Sequence, residues 1–211
     1  LRVINRAVLE ILIKTGSFDS FGQKRKWMLE HLDDLINEAQ LVQADKKIGQ
    51  AQLFDILSQD KKVKSGVEVE DWADDEKSFM EKEFLGFFVS GHPLKKYNGF
   101  IKLNCTNTSR TINDITFKKN NNNGNIFFQK ENVVMAGIID KIKIFKGENS
   151  NDWVILTIDD LEGSFSVNVY RKEYEKFMSL IISRKFILIN GYCTENKREE
   201  KIVVAQSIEE L

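Results

Sequence analysis

From Val133 onward the apolar residues leave helical spacing and alternate at period two, the pattern of strands that bury one face. Val134, Ala136 and Ile138 alternate with Met135, Gly137 and Ile139. Val154, Leu156 and Ile158 alternate with Trp153, Ile155 and Thr157, and Phe165, Val167 and Val169 with Ser166 and Asn168. A helical segment, Arg171 to Leu180, comes next, and then two more strands over Lys185–Cys193 and Lys201–Ala205. Few topologies satisfy that order. Asp159-Asp160, with Leu161-Glu162-Gly163 after them, read as the acidic turn between the second and third strands rather than as a metal pair.

Three strands, a helix and two strands is the order of an OB-fold, a small Greek-key barrel whose strand 2–3 face and 1–2 and 4–5 loops bind oligonucleotides. The same elements also fit a generic α+β domain. On the barrel reading, residues 131–211 are the domain, and its outward positions include Lys141, Lys143, Phe145 and Lys146 on strand 1 and its loop. Trp153 follows on strand 2, with Ser166, Asn168 and Tyr170 on and after strand 3. Lys197 and Arg198 fall in the loop between strands 4 and 5, beside Glu195, Glu199 and Glu200. Aromatic rings stack on bases and lysines track phosphates, so this mixture suits single-stranded nucleic acid. Eleven basic and fourteen acidic residues in the same span predict that any such binding is modest and salt-sensitive. The alternative is that Trp153 and Phe145 only cover the barrel end.

Upstream the spacing is helical. Residues 1–45 carry two helical patterns around Thr15-Gly16-Ser17-Phe18-Asp19-Ser20-Phe21-Gly22, with Asp19 or Ser20 available as an N-cap for the second. This resembles a helix-hairpin-helix, in which Lys14 and the backbone at Gly16 would meet a duplex phosphate, though many such turns are plain connectors. Residues 46–75 read as a linker with one apolar spot. There Gln50 offers a side-chain amide three and four residues before Leu53 and Phe54, a polar anchor beside two large apolar groups. Either the spot meets a partner or it folds back onto the helices. Residues 76–130 hold a helix carrying Phe79, Phe84, Phe87 and Phe88, ended by Gly91-His92-Pro93, and then an Asn-rich connector that reads as loop over 104–125. The fold class is therefore α+β, a helical region, a linker and a five-stranded barrel.

Charge sharpens the division. The whole chain has 31 basic and 32 acidic residues, but residues 91–130 have seven basic and one acidic. An acidic middle and a cationic connector lie behind a near-neutral total. With 42% hydrophobic residues the chain can build one or two cores. No apolar stretch reaches the ~18–20 residues of a membrane span, so no membrane partner and a cytoplasmic location are expected. Cys105 and Cys193 stand far apart with only two histidines in the chain, which leaves no zinc site or disulfide framework. No carboxylate pair sits beside a nucleophile or a phosphate loop, and His92 before Pro93 reads as a cap or packed polar group, so no catalytic residue or cofactor is expected. The abrupt helical start at Leu1 reads as a piece of a longer protein.

Taken in order, these segments resemble the C-terminal part of the alpha subunit of bacterial DNA polymerase III, the C-family replicative polymerase. Leu12-Ile13-Lys14-Thr15-Gly16-Ser17-Phe18-Asp19 followed by Arg25 is similar to the end of that family's tandem helix-hairpin-helix region, with Ser17 where Ala is usual. Gln50-Ala51-Gln52-Leu53-Phe54 resembles its internal clamp-binding motif. Glu81-Lys82-Glu83-Phe84-Leu85-Gly86-Phe87-Phe88-Val89-Ser90-Gly91-His92-Pro93-Leu94 resembles its E-x-E-x-LG…SGHP-L signature. Leu156-Thr157-Ile158-Asp159-Asp160 and Gly163 match the turn of its OB domain. The resemblance implies a DNA-directed DNA polymerase parent whose Mg-binding palm lies outside this chain, and a chain inactive by itself. It also implies the sliding clamp, single-stranded template, duplex backbone and other holoenzyme subunits as partners. The competing reading is a standalone single-stranded-nucleic-acid-binding or adaptor protein, and a weaker one is a metal-dependent nuclease.

Overall fold

The computed structural model describes residues 5–48, 69–117, 120–122, 125–127, 130–147, 152–195 and 200–211, and the chain divides into two units, Leu1–Gly91 and His92–Leu211. In the first unit α1 (Arg6–Lys14) starts at Asn5, whose Oδ1 accepts the Ala7 N–H at 3.1 Å. It stops at Thr15, whose hydroxyl donates back to the Ile11 carbonyl at 2.9 Å. After a 3-10 turn at Asp19–Phe21 come α2 (Arg25–Glu30), α3 (Leu32–Ile48) and α4 (Asp74–Leu85). Ile13, Met28 and Leu32 form a small core with Leu9, Phe18, Trp27 and Ile36 against it.

Three expectations for this unit change. Asp19 does not cap α2: the cap position is Lys24, which makes no side-chain cap, and Asp19 binds Arg25 instead. α3 runs to Ile48, past the expected start of the linker at 46. Leu41 and Val42 are exposed on it. α4 stops at Gly86, whose φ of 89° is a left-handed cap, and not at Gly91-His92-Pro93.

The second unit is a closed barrel of β3 (Glu131–Phe145), β4 (Trp153–Asp159), β5 (Ser164–Val169), β6 (Phe186–Glu195) and β7 (Lys201–Glu210), in the order β3-β4-β5-β7-β6. All neighbours are antiparallel except β5 and β7, which are parallel. With α6 (Arg171–Phe177) between β5 and β6, this is the OB-fold and not a generic α+β sheet. Met135, Ile139, Leu156, Ile158, Val167, Ile187, Ile189 and Val203 fill the interior, and Tyr174 and Phe177 of α6 pack onto it. Gly191 is required where β6 crosses β7, because a Cβ there would lie 2.0 Å from the Val204 carbonyl oxygen.

The barrel unit begins at His92, well before residue 131. The basic connector wraps the outside of the first half of β3 through a 3-10 turn at Pro93–Tyr97, α5 (Asn98–Asn104) and a second 3-10 turn at Thr111–Asp114. His92 Nδ1 caps the first turn by accepting the Leu94 N–H at 3.2 Å, and Leu94 is fully buried. Thr106 N–H donates to the Val134 carbonyl and Val134 N–H to the Thr106 hydroxyl, both at 2.9 Å. Part of the Asn-rich tract pairs as β1 (Asn120–Asn122) with β2 (Asn125–Phe127) rather than staying as loop.

Candidate nucleic-acid interface

The second half of β3 lies beside β4, and β4 beside β5, in a register that sets outward side chains in three rows. Lys141 faces Thr157, which faces Ser166; Lys143 faces Ile155, which faces Asn168; Phe145 faces Trp153, with Tyr170 one residue beyond the end of β5. Inward residues Ile142, Leu156 and Val167 occupy the alternate row, so barrel packing holds the outer rows in place.

The aromatic row is a column. The Phe145 and Trp153 rings stack with centroids 4.4 Å apart and planes 13° apart, and Tyr170 sits 6.3 Å from Trp153 at 32°. Tyr170, 47% exposed, offers the open ring surface. Lys143 Nζ lies 4.9 Å from the Phe145 centroid, so a cation–π contact holds the ammonium beside the column. Lys141 and Lys146 are exposed. Six expected site residues, Lys141, Lys143, Phe145, Trp153, Asn168 and Tyr170, thus share one face, with Lys146 just past its edge. Thr157 and Ile155, which the sequence reading does not single out as site residues, complete the rows beside Ser166 and Asn168. Lys197 and Arg198 lie outside the described residues, as do Gln50, Leu53 and Phe54.

The other motif residues build something else. Arg25 is almost fully buried and donates to Asp19 Oδ2 at 2.7 Å, to the Lys14 carbonyl at 3.2 Å and, through both terminal nitrogens, to Glu81 Oε1 at 3.1 Å. Glu81 has no exposure and also accepts the amides of Val89 at 2.9 Å and Ser90 at 2.8 Å, and the Ser90 hydroxyl. Burial pushes the Glu81 carboxyl up, and the donors from Ser90, Val89 and Arg25 more than offset it, leaving it below the ordinary value. The Asp19 hydrogen bond, working against burial and joined by Glu81, raises Arg25. Gly16, with φ of 82°, lies so close that a Cβ would be 2.2 Å from an Arg25 nitrogen. Gly16 N–H donates to the Ile13 carbonyl and Ser17 N–H to that of Leu12, so a phosphate contact at this turn would fall on the Lys14 ammonium, which lies 5.4 Å from the Phe84 ring.

In the turn after β4, Asp160 accepts the amides of Glu162 at 2.8 Å and Gly163 at 2.9 Å, while Asp159 Oδ1 accepts the Ser164 hydroxyl at 2.7 Å. Among the described residues no three His, Cys, Asp or Glu side chains converge on a metal-sized site. Among them, too, no helix is long and apolar enough to cross a membrane.

No family model matches the chain. Sequence relatives do. It is 29% identical over 211 residues to the DNA polymerase III subunit alpha of Borreliella burgdorferi, covering 98% of this chain and 17% of that protein. It is 30% identical over 184 residues to that of Campylobacter jejuni, covering 84% of this chain and 14% of that one. The chain thus spans about a sixth of the curated relatives it matches. The mitochondrial single-stranded DNA binding protein Rim1 of S. cerevisiae shares 14% identity over 40% of this chain and 96% of its own. The TM-score of 0.32 is too low to bear on the barrel, whose assignment rests on strand order. The chain is a homologue, along nearly all of its length, of a segment of DNA polymerase III subunit alpha.

Proposed function

We propose that the chain is a non-catalytic, C-terminal portion of a replicative polymerase alpha subunit that holds single-stranded template on the outer face of β3, β4 and β5. The observation that carries this is the convergence of the ring column Phe145, Trp153 and Tyr170 with Lys141 and Lys143 on adjoining rows. Bases meet an open π-surface at Tyr170, and phosphates meet the two ammonium groups. Binding of this kind is sequence-tolerant, which suits a template that must slide.

The acidic charge of the barrel keeps such contacts weak. A second attachment makes weak contacts sufficient by raising the effective concentration of DNA at the face. The arm carrying Gln50, Leu53 and Phe54 supplies it by docking its apolar pair in a pocket of the sliding clamp. Polymerisation belongs to parts of the relatives outside the matched segment.

Fluorescence anisotropy with a labelled oligothymidylate tests the interface. The chain binds at low salt with affinity that falls as salt rises, and Tyr170→Ala weakens binding about 5- to 150-fold, the ~1–3 kcal/mol of one stacked base. No binding by the unaltered chain at low salt refutes the reading. For the arm, a chain with Leu53→Ala and Phe54→Ala is no longer retained by immobilised clamp, and equal retention would sink that part.

A further inference from the structure

The face just described is only part of the surface the second unit offers to a strand, and its charge is insufficient alone. The cations of this unit concentrate instead in the connector. Ser109 ties that connector to the turn between β4 and β5: its hydroxyl donates to Asp160 Oδ1 at 2.7 Å and its amide to Asp160 Oδ2. Gly163 keeps the approach close, since a Cβ there would meet the Ser109 hydroxyl oxygen at 3.2 Å. Thr108 adds a hydrogen bond to Glu162. The segment is therefore docked at the same end of β4 and β5 at which the row of Asp159 and Ser164 closes the outer face.

Two cations arrive with it. Arg110 is exposed, next to Ser109, and Lys102 lines a cleft of about 240 Å³ together with Thr108, Asp160, Leu161 and Glu162. Among the described residues neither has an ion pair. Asp160, a buried carboxylate on the same cleft, accepts four hydrogen bonds, two from Ser109 and one each from Glu162 and Gly163, so its oxygens are engaged by neutral donors and make no ion pair with Lys102 or Arg110. Asp160 and Glu162 are the carboxylates of the cleft that oppose an anion, and Glu162 is the exposed one.

We infer that the single-strand path runs along the outer rows from Tyr170 towards Ser164 and continues over the connector, where Lys102 and Arg110 take backbone phosphates that the barrel face does not reach. This rests on the reading of that face as a single-strand interface. The extension is a polyanion track in which Lys102 and Arg110 supply the charge, and Phe100, 44% exposed, is the one large exposed ring on the helix that carries Lys102. It accounts for how a barrel with more acidic than basic residues holds DNA: the charge is lent by the segment wrapped around it.

The test is anisotropy with the full chain and two oligothymidylates, of about 4 and about 16 nucleotides, the limits of the site size of one OB domain. Lys102→Ala with Arg110→Ala leaves affinity for the short strand within twofold. For the long strand the slope of log affinity against log salt becomes shallower by about 0.7 for each lost phosphate contact, about 1.4 in all. Glu162→Gln moves the long-strand affinity the other way. An unchanged long-strand slope in the double variant, with the short strand still bound, overturns the extension and leaves the interface standing. Failure of the unaltered chain to bind either strand overturns the interface itself.

Discussion

The helical unit and the barrel unit use charge in opposite ways. Arg25 and Glu81 are withdrawn from water and every polar atom around them is occupied, whereas Lys141, Lys143 and Lys146 stand at the surface beside rings or in the open. A buried pair with its donors in place fixes a geometry, and it offers nothing to a ligand. Exposed cations beside a preformed ring column cost little to hold and remain available. The most distinctive stretches of the sequence, around Gly16, Asp19 and Arg25 and around Glu81 and Ser90, are therefore architecture. The candidate binding surface falls outside those stretches, on the outward rows of β3, β4 and β5. Distinctiveness of a motif and contact with a ligand are separate properties in this chain.

The largest expected effect that could break this division is removal of one partner of the buried pair. Glu81→Ala leaves Arg25 charged and under-bonded and should cost about 3–5 kcal/mol in urea unfolding of the full chain followed by helical circular dichroism. Oligonucleotide affinity, measured without denaturant, should stay the same. Lost affinity in a chain whose barrel is still folded would mean that the staple takes part in binding. Next is Gly16→Ala, which places a Cβ at a left-handed φ and against Arg25, and should cost at least about 1–2 kcal/mol in the same assay. A neutral result would show that the turn can relax and that the staple tolerates it.

Smaller is Lys143→Ala, which should lower the salt slope of single-strand binding by about 0.7, one phosphate contact, without shifting the unfolding midpoint. The smallest is a pH effect. Because the folded Glu81 carboxyl lies below its ordinary value of 4.5, its stabilisation is present above that pH and is lost as the pH falls through the lower, folded value. Acidification below pH 4.5 should therefore lower the unfolding midpoint, and Glu81→Gln should remove part of that dependence. An identical acid profile in the variant would assign the loss to other groups, among them Asp71, which is also held low despite its burial by the Lys26 amide and Lys77.

Much of the barrel was legible because alternation reports burial directly, and it failed where alternation itself fails. The alternation that marks β3 is continuous only over Val133–Ile139, and the strand extends to Phe145 through the positions assigned to strand 1 and its loop. The register shifts between Ile139 and Lys141, so the extra residue there flips the inward set from Ile139 to Ile142. β7 was expected to end at Ala205 and runs to Glu210, past a second shift opposite Asn190 and Gly191 that leaves Gln206 outside the pairing. Lys141, Lys143, Phe145, Trp153, Asn168 and Tyr170 could be assigned to one face because polar and aromatic residues alternate there with the apolar Ile142, Leu156 and Val167 that fill the interior. The Arg25–Glu81 pair could not, since 56 positions separate the two and no periodicity links them. Nor could the connector's attachment at Ser109 and Asp160, which depends on a short contact between two turns.

The central claim is that single-stranded DNA touches the barrel face and spares the helical unit. The direct measurement is an amide chemical-shift titration of the isotopically labelled full chain with a short oligothymidylate. The account predicts that residues 141–145, 153–157 and 166–170 shift together with one saturation curve while residues 5–30 and 74–91 stay still. Shifts centred on Lys14, Gly16 and Arg25, with the strand face unmoved, would contradict it.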